Sequence, residues 1–281
     1  MKTHQRFIVT SISTLILPAV ISARVFADEH SLTPKVIDPM YGLWSIAATT
    51  KNSQFKAVDN TLKATPLIFG GFGPVFIEAN RFGYNFYRDG IYFSSLIGNI
   101  RNHSNLSNDD IKSSQFLRNY NLHERKGALE AGIQVGRRFD NGWVSRIALL
   151  QDISSTHKGQ EVELTLYRRD NFKPLVNFNS IRLLTTLGLQ SQSQDLNDYY
   201  YGINTNELAN NTQKSYTVGS GWSAELELIA TYDFSWQKNG DGNWGVYAGL
   251  RHYQFSDAVK NSPIVESGLV QQYFIGIGRY F

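Results

Sequence analysis

Residues 221–235, GWSAELELIATYDFS, alternate with a period of two. One register holds Trp222, Ala224, Leu226, Leu228, Ala230, Tyr232 and Phe234; the other holds Ser223, Glu225, Glu227, Ile229, Thr231 and Asp233. This pattern fits a β-strand with one apolar and one acidic face, because successive side chains point to opposite sides. It recurs. NWGVYAGLRHYQF sets Trp244, Val246, Ala248 and Leu250 against Tyr247, Arg251 and Tyr253, and GALEAGIQVGRRF sets Leu129, Ala131, Ile133 and Val135 against Glu130, Gln134 and Arg138. GQEVELTLYRR opposes Val162, Leu164 and Leu166 to Glu161, Glu163, Thr165 and Tyr167, and SIRLLTTLGLQ opposes Ile181, Leu183, Thr185, Leu187 and Leu189 to Arg182 and Thr186. Each run is about ten residues or longer, against a usual strand of about five or six.

Length and polarity together choose the architecture. A soluble sandwich turns its apolar faces inward and needs few long strands. A transmembrane barrel does the reverse, with strands of about 9–11 residues that carry an apolar outer face and a polar inner one. Tryptophan, tyrosine and phenylalanine near strand ends (Trp44, Trp143, Trp222, Trp244, Tyr232, Phe234, Phe281) suit interfacial girdles. Composition agrees: charged residues are 18%, aromatics 13%, and there are 23 glycines and no cysteine. The net charge of +3 is too small to argue for nucleic acid.

The first residues read as an export signal. Lys2 and Arg6 precede an apolar stretch from Phe7 to Ala23, and Val25-Phe26-Ala27 offers small or aliphatic residues before Asp28 and Glu29. The expected division is a secretory signal peptide at 1–27, with cleavage after Ala23 as the other option, and a barrel at 28–281. No later apolar run is long enough for a transmembrane helix.

Connection lengths set the expected orientation. Asn99–Lys126 and Gln192–Lys214 are long, Ser154–Gly159 and Asp257–Glu266 medium, and Asp140–Gly142, Asp170–Pro174 and Gln237–Asn243 short. Outer-membrane barrels have short periplasmic turns and long outer loops. The pattern predicts an all-β, antiparallel up-and-down barrel of about 12 strands, with ten or fourteen also open and both termini periplasmic. Its early strands are expected near Tyr41–Thr50, Ala64–Gly70, Val75–Asn80, Gly83–Tyr87 and Ile91–Ile97, with seven more after Gly127. The final QQYFIGIGRYF then closes against the first strand rather than standing as an edge. Phe281 is the expected assembly signal, and Arg279 is expected to snorkel to the interface.

The polar faces nominate a lumen: Glu130, Arg138, Arg146, Asp152, Glu161, Glu163, Arg182, Glu225, Glu227, Asp233 and Arg251. Both signs are present, which suits either internal ion pairs filling a narrow barrel or a polar path for small solutes. Arg101, Lys112, Arg118, Arg125 and Lys126 give the long Asn99–Lys126 connection an excess of positive charge, as a solvated loop or a contact for lipopolysaccharide phosphates. Enzyme signatures are weak. Neither H-E-x-x-H nor G-x-S-x-G occurs. His252 near Ser256, and His157 near Ser154 and Ser155, are better read as rim residues than as a hydrolase pair. No cofactor is expected. GGFGP (70–74) lacks a P-loop lysine and reads as a turn.

Several stretches resemble one family. They are DYYYGINTNELA (Asp198–Ala209), Tyr216 and Gly219, GVYAGLRHYQFSDAVKNSPIVE (Gly245–Glu266) with its Ser-Pro-Ile-Val element, KGQEVELTLYRR (Lys158–Arg169) and the closing GIGRYF. The chain resembles the MltA-interacting protein (MipA/OmpV) family over its last half to two-thirds. After the first strand, KNSQFKAVDN stands where the family has an acidic loop. The resemblance implies an outer-membrane barrel inserted by the barrel-assembly machinery, without catalytic residues. It implies a scaffold joining a lytic transglycosylase to a murein synthase, that is, a bifunctional penicillin-binding protein. Porin-like and adhesin roles also occur in the family.

Overall fold

The computed structural model describes residues 41–102, 104–172, 181–233 and 244–280. Twelve strands form a closed antiparallel barrel in which sequence neighbours pair and β12 meets β1. They are β1 Tyr41–Lys51, β2 Thr61–Phe72, β3 Val75–Glu78, β4 Arg81–Arg88, β5 Tyr92–Arg101, β6 Ala128–Arg138, β7 Trp143–Asp152, β8 Gln160–Phe172, β9 Ile181–Gln192, β10 Gly221–Asp233, β11 Trp244–Gln254 and β12 Leu269–Tyr280. No described helix is long and apolar enough to cross a membrane. The expected signal peptide, the Gln237–Asn243 connection and Phe281 lie outside the described residues.

Period-two alternation builds the wall. Ile46, Ile133, Ile147, Leu189 and Ile275 stand exposed on the outer surface, while Ser95, Gln134, Glu161 and Ser223 are buried inside. Backbone groups pair strand to strand around the ring, as crossing a hydrocarbon layer without helices requires, except along β2 beside the short β3. Near the chain termini, Trp44 and Trp244 sit on either side of β12, both registered opposite Arg279. Their rings meet edge to face at 5.6 Å. Arg137 lies over Tyr92 and Phe139, and Arg168 over Trp143. These cation–aromatic contacts place arginines at an aromatic girdle, where the charged head reaches water and the stem covers apolar surface.

Several strand ends differ from the sequence reading, two of them at polar residues. β5 continues past Ile97 to Arg101, and β8 continues through Asp170 to Phe172. Polar residues at both sites suggested loops. Inside a barrel, inward positions are polar, so polarity does not end a strand. The register from Ile100↔Leu129 to Arg101↔Ala128, and that from Asp170↔Leu183 to Phe172↔Ile181, keep the ladder intact.

The wall is thinnest at β3, which pairs with β2 only from Phe69↔Glu78 to Phe72↔Val75. Above that point β2 is held by β1 alone. Pro66 lies in this free stretch. Ile68 O accepts from Ala79 N on the β3 side, and strand periodicity turns residue 66 to the same side. The missing proline N–H therefore falls where no ladder bond is required, the placement that suits proline in a sheet.

The β1–β12 ladder closes the barrel, and one side chain crosses it. Tyr247 of β11 lies over Gly276 of β12, and its hydroxyl donates to Ser45 Oγ of β1 at 3.0 Å. A Cβ at residue 276 would sit 2.4 Å from the Tyr247 ring and 2.8 Å from Ile46 O. Gly276→Val is expected to destabilise the barrel by about 1–3 kcal/mol through overpacking, and Tyr247→Phe by about 1 kcal/mol. The temperature at which the detergent-folded band shifts on a gel checks both.

Candidate functional site

The lumen is crossed by ion pairs. At the end of β5 the Arg101 guanidinium donates from Nε to Glu130 Oε1 at 2.7 Å and from Nη2 to Glu161 Oε1 at 2.8 Å, and all three side chains are nearly inaccessible to solvent. Asn99 donates to Glu130 Oε2, and Gln192 donates to both Glu161 Oε2 and Tyr253. Arg81 forks onto Glu163, with its closest contact 2.6 Å. Arg146 reaches Glu78 at 3.1 Å, and Arg251 pairs with both Glu225 and Glu227. Arg182 is buried on the lumen side of β9, and Arg138 has the same parity but is exposed at the terminal end. Asp233 ends β10, and its side chain lies outside the described set. Phe76, Ile97, Ala148 and Leu150 add a small apolar cluster inside the wall.

Asp152 has a separate task. It accepts backbone N–H bonds from Ser154, His157 and Lys158, and so folds the β7–β8 loop onto the end of its strand. His157 is occupied on both sides: Nδ1 accepts from Gly159 N at 3.0 Å, so the ring hydrogen sits on Nε2, 3.1 Å from Glu130 Oε1. Ser154 Oγ donates to Asp152 rather than approaching the ring.

Sequence reasoning missed Arg81 and Arg101. Arg81 lies just before a strand expected to begin at Gly83, and Arg101 was assigned to a solvated loop. The available signal was period two. Arg101 continues the inward series Ser95, Ile97, Asn99, and Arg81 continues Gly83 and Asn85 backwards. A second correction concerns the basic excess of that loop. Arg101 and Arg125 are buried in ion pairs, which leaves Lys112, Arg118 and Lys126 exposed.

The long connections form a packed cap over the barrel end opposite the termini. Helix α1, Asn108–Ser113, starts at a Ser107–Asp110 capping box, and helix α2 spans Gln194–Tyr201. Leu106, Ile111, Leu117 and Leu122 from one connection meet Leu196, Tyr200, Tyr201 and Ile203 from another, with Val259, Ile264 and Val265 from a third. Glu207 holds the first two together. It pairs with Arg125 at 2.6 Å and accepts from His123 N, while Arg125 also donates to Gly202 O. Ser262 Oγ donates to Tyr201 O at 2.6 Å, and Tyr201 donates to Ser104. Burial pushes the Tyr200 and Tyr201 hydroxyls up from their ordinary values, so both remain neutral donors. Burial also pushes the Glu207 carboxyl up, but Arg125 and the backbone N–H groups of His123 and Asn204 outweigh it and hold it at about 2, below the ordinary 4.5.

These differences in burial generate two tests. Arg101→Met leaves two carboxylates in the interior without their cation and is expected to cost about 3–5 kcal/mol. Arg251→Met removes a side chain that is 43% exposed and is expected to cost less than Arg101→Met, because water reaches the pair. Thermal unfolding in detergent separates them. For Glu207, a folded value below the unfolded one stabilises the cap above about pH 4.5, and this contribution is lost as pH falls towards about 2. The near-ultraviolet circular dichroism of the tyrosine cluster should hold steady from neutral pH to about 5 and decline below. In Glu207→Gln it should already be reduced at neutral pH.

Comparison with known proteins agrees with this architecture. The family profile described as "MltA-interacting protein MipA" matches residues 45–281, which is more of the chain than the motif resemblance covers. The MltA-interacting protein of Escherichia coli (strain K12) is 30% identical over 146 residues, 52% of this chain and 53% of that protein. Outer membrane protein Omp26La of Vibrio anguillarum is 25% identical over 155 residues, 55% of this chain and 54% of that protein. Outer membrane protein OmpV of Vibrio cholerae is 23% identical over the same length, with the same shares of each chain. The aligned part thus spans about half the length of these relatives.

Proposed function

Since this chain belongs to the MltA-interacting protein (MipA/OmpV) family of outer-membrane β-barrels, we propose that it serves as an anchor for peptidoglycan-remodelling enzymes rather than as a conduit. The observation that carries this reading is the closed construction of the barrel. Buried ion pairs cross the lumen, and a hydrophobic cap covers the end opposite the termini. A tube built for solute flow keeps its polar groups hydrated, whereas here Arg101, Glu130 and Glu161 satisfy one another.

In this reading the termini face the periplasm and the cap faces outward. The binding surface is then the terminal rim, whose described part is formed by the Phe139–Gly142 turn and the Asp89 turn. The partners are a lytic transglycosylase, as the name of the E. coli relative suggests, and a bifunctional penicillin-binding protein. Short turns present little area, and contacts below about 1,200 Å² are characteristically weak and transient. Several contacts must therefore combine for stable capture.

Crosslinking in intact envelopes followed by purification of the barrel tests the proposal. Recovery of a murein hydrolase or synthase is expected, with little single-channel conductance of the pure protein in a planar bilayer. Steady conductance without any murein enzyme would replace this reading with that of a narrow porin. Binding to a host surface through the cap alone would replace it with an adhesin.

A further inference from the structure

The Asp-Tyr-Tyr-Tyr-Gly run at 198–202 has a consequence beyond packing. On the cap surface, the β7–β8 loop and helix α2 flank an open depression of about 380 Å³ lined by His157, Lys158, Asp195, Asp198, Tyr199 and Asn204. That size lies in the lower part of the range for small-molecule sites, about 300–1,000 Å³.

Its walls are rigid. Lys158 adopts φ +58°, a left-handed conformation that side-chain-bearing residues rarely hold. Asp152 Oδ2 enforces it by accepting from His157 N at 2.7 Å and Lys158 N at 2.8 Å. Strained backbone retained in this way recurs at binding sites. His157 is locked between Gly159 and Glu130, and through Glu130 it rests on Arg101. Tyr199 is fixed by its hydroxyl, which accepts from Lys126 N at 2.9 Å, and by an edge-to-face contact with Tyr200 at 4.9 Å.

Unused hydrogen-bonding capacity remains at the lining. Asp198 commits Oδ1 to the backbone N–H groups of Val218 and Gly219, while its Oδ2 has no partner among the described residues. The Asp195 carboxylate and the Lys158 ammonium make no hydrogen bond or ion pair within the described chain. The depression thus offers free acceptors on Asp195 and Asp198, the Lys158 ammonium as a donor and the ring of Tyr199, whereas the Asn204 carboxamide already donates to Glu207 Oε2 at 3.4 Å.

We infer that this depression is a saccharide-binding site for one or two sugar rings. Vicinal hydroxyls both donate and accept, so they match acceptors and donors set side by side. The C–H face of a sugar matches an aromatic wall. The alternatives fit less well. The described residues include no cluster of three metal-ligating side chains. An anion would meet two carboxylates for one ammonium, and an apolar ligand would leave the carboxylates desolvated.

The test uses the full-length barrel folded in detergent. Glucose, galactose, N-acetylglucosamine and a deacylated lipopolysaccharide core oligosaccharide are titrated separately under saturation-transfer NMR. Transfer to the ring protons of one sugar face is expected. Binding should weaken about tenfold or more in Asp195→Asn and in Lys158→Gln, since unpaired polar groups lose the most affinity. Both substitutions lie at exposed positions, and an unchanged heat-modifiable band verifies folding of each. Tighter binding of the core oligosaccharide than of the free sugars assigns the ligand to the membrane's own lipopolysaccharide; the reverse assigns it to a free or foreign glycan. The inference is overturned if no probe binds below about 10 mM, if both variants bind like the parent, or if a simple diamine binds in preference to every sugar.

Discussion

Arg101 is the point on which the molecule turns. A guanidinium facing lipid is costly, and one buried without a partner is costlier still. At the end of β5 its side chain faces inward, where Glu130 of β6 and Glu161 of β8 meet it. The three strands are thereby tied across the lumen as well as along the wall. The same contact reaches His157 through Glu130.

The stretches that carry the family resemblance converge in space. Lys158–Arg169 supplies Glu161 and Glu163 to the lumen network. Asp198–Gly202 supplies the tyrosines above it, and Ser262–Val265 packs over those tyrosines from another connection. Far apart along the chain, they form one continuous block from the lumen to the cap surface. The block has two layers with different physics: charges neutralised within the barrel, and apolar side chains buried in the connections. Neither layer is complete alone, because the cap excludes water from the ion pairs and the ion pairs hold the strand ends on which the cap rests.

Much of the wall was readable from residue order. Alternation in β6, β8, β9, β10 and β11 assigned each side chain to a face, and the twelve strands follow the expected sequence of hairpins. The errors share one cause. A buried polar residue in a lumen and a solvated polar residue in a loop look alike in sequence, so β5 was expected to stop before Asn99 and Arg101 was counted as a loop charge. Arg125 was misread for the same reason, since its partner Glu207 lies more than eighty residues away. The cap's core was hidden too. Leu106, Ile111, Leu117 and Leu122 are spaced among polar residues without a sustained period, and only their meeting with Tyr200, Tyr201 and Ile264 reveals a core.

Sequence alone determined the class of solution. Strands of about ten residues with apolar outer faces have few homes besides a closed barrel in a membrane, because backbone polarity and side-chain alternation are local properties of the chain. What closes the lumen was decided in three dimensions. Which carboxylate neutralises which guanidinium, and whether a loop lies in water or folds over the mouth, depends on strand register and on contacts between residues distant in the chain.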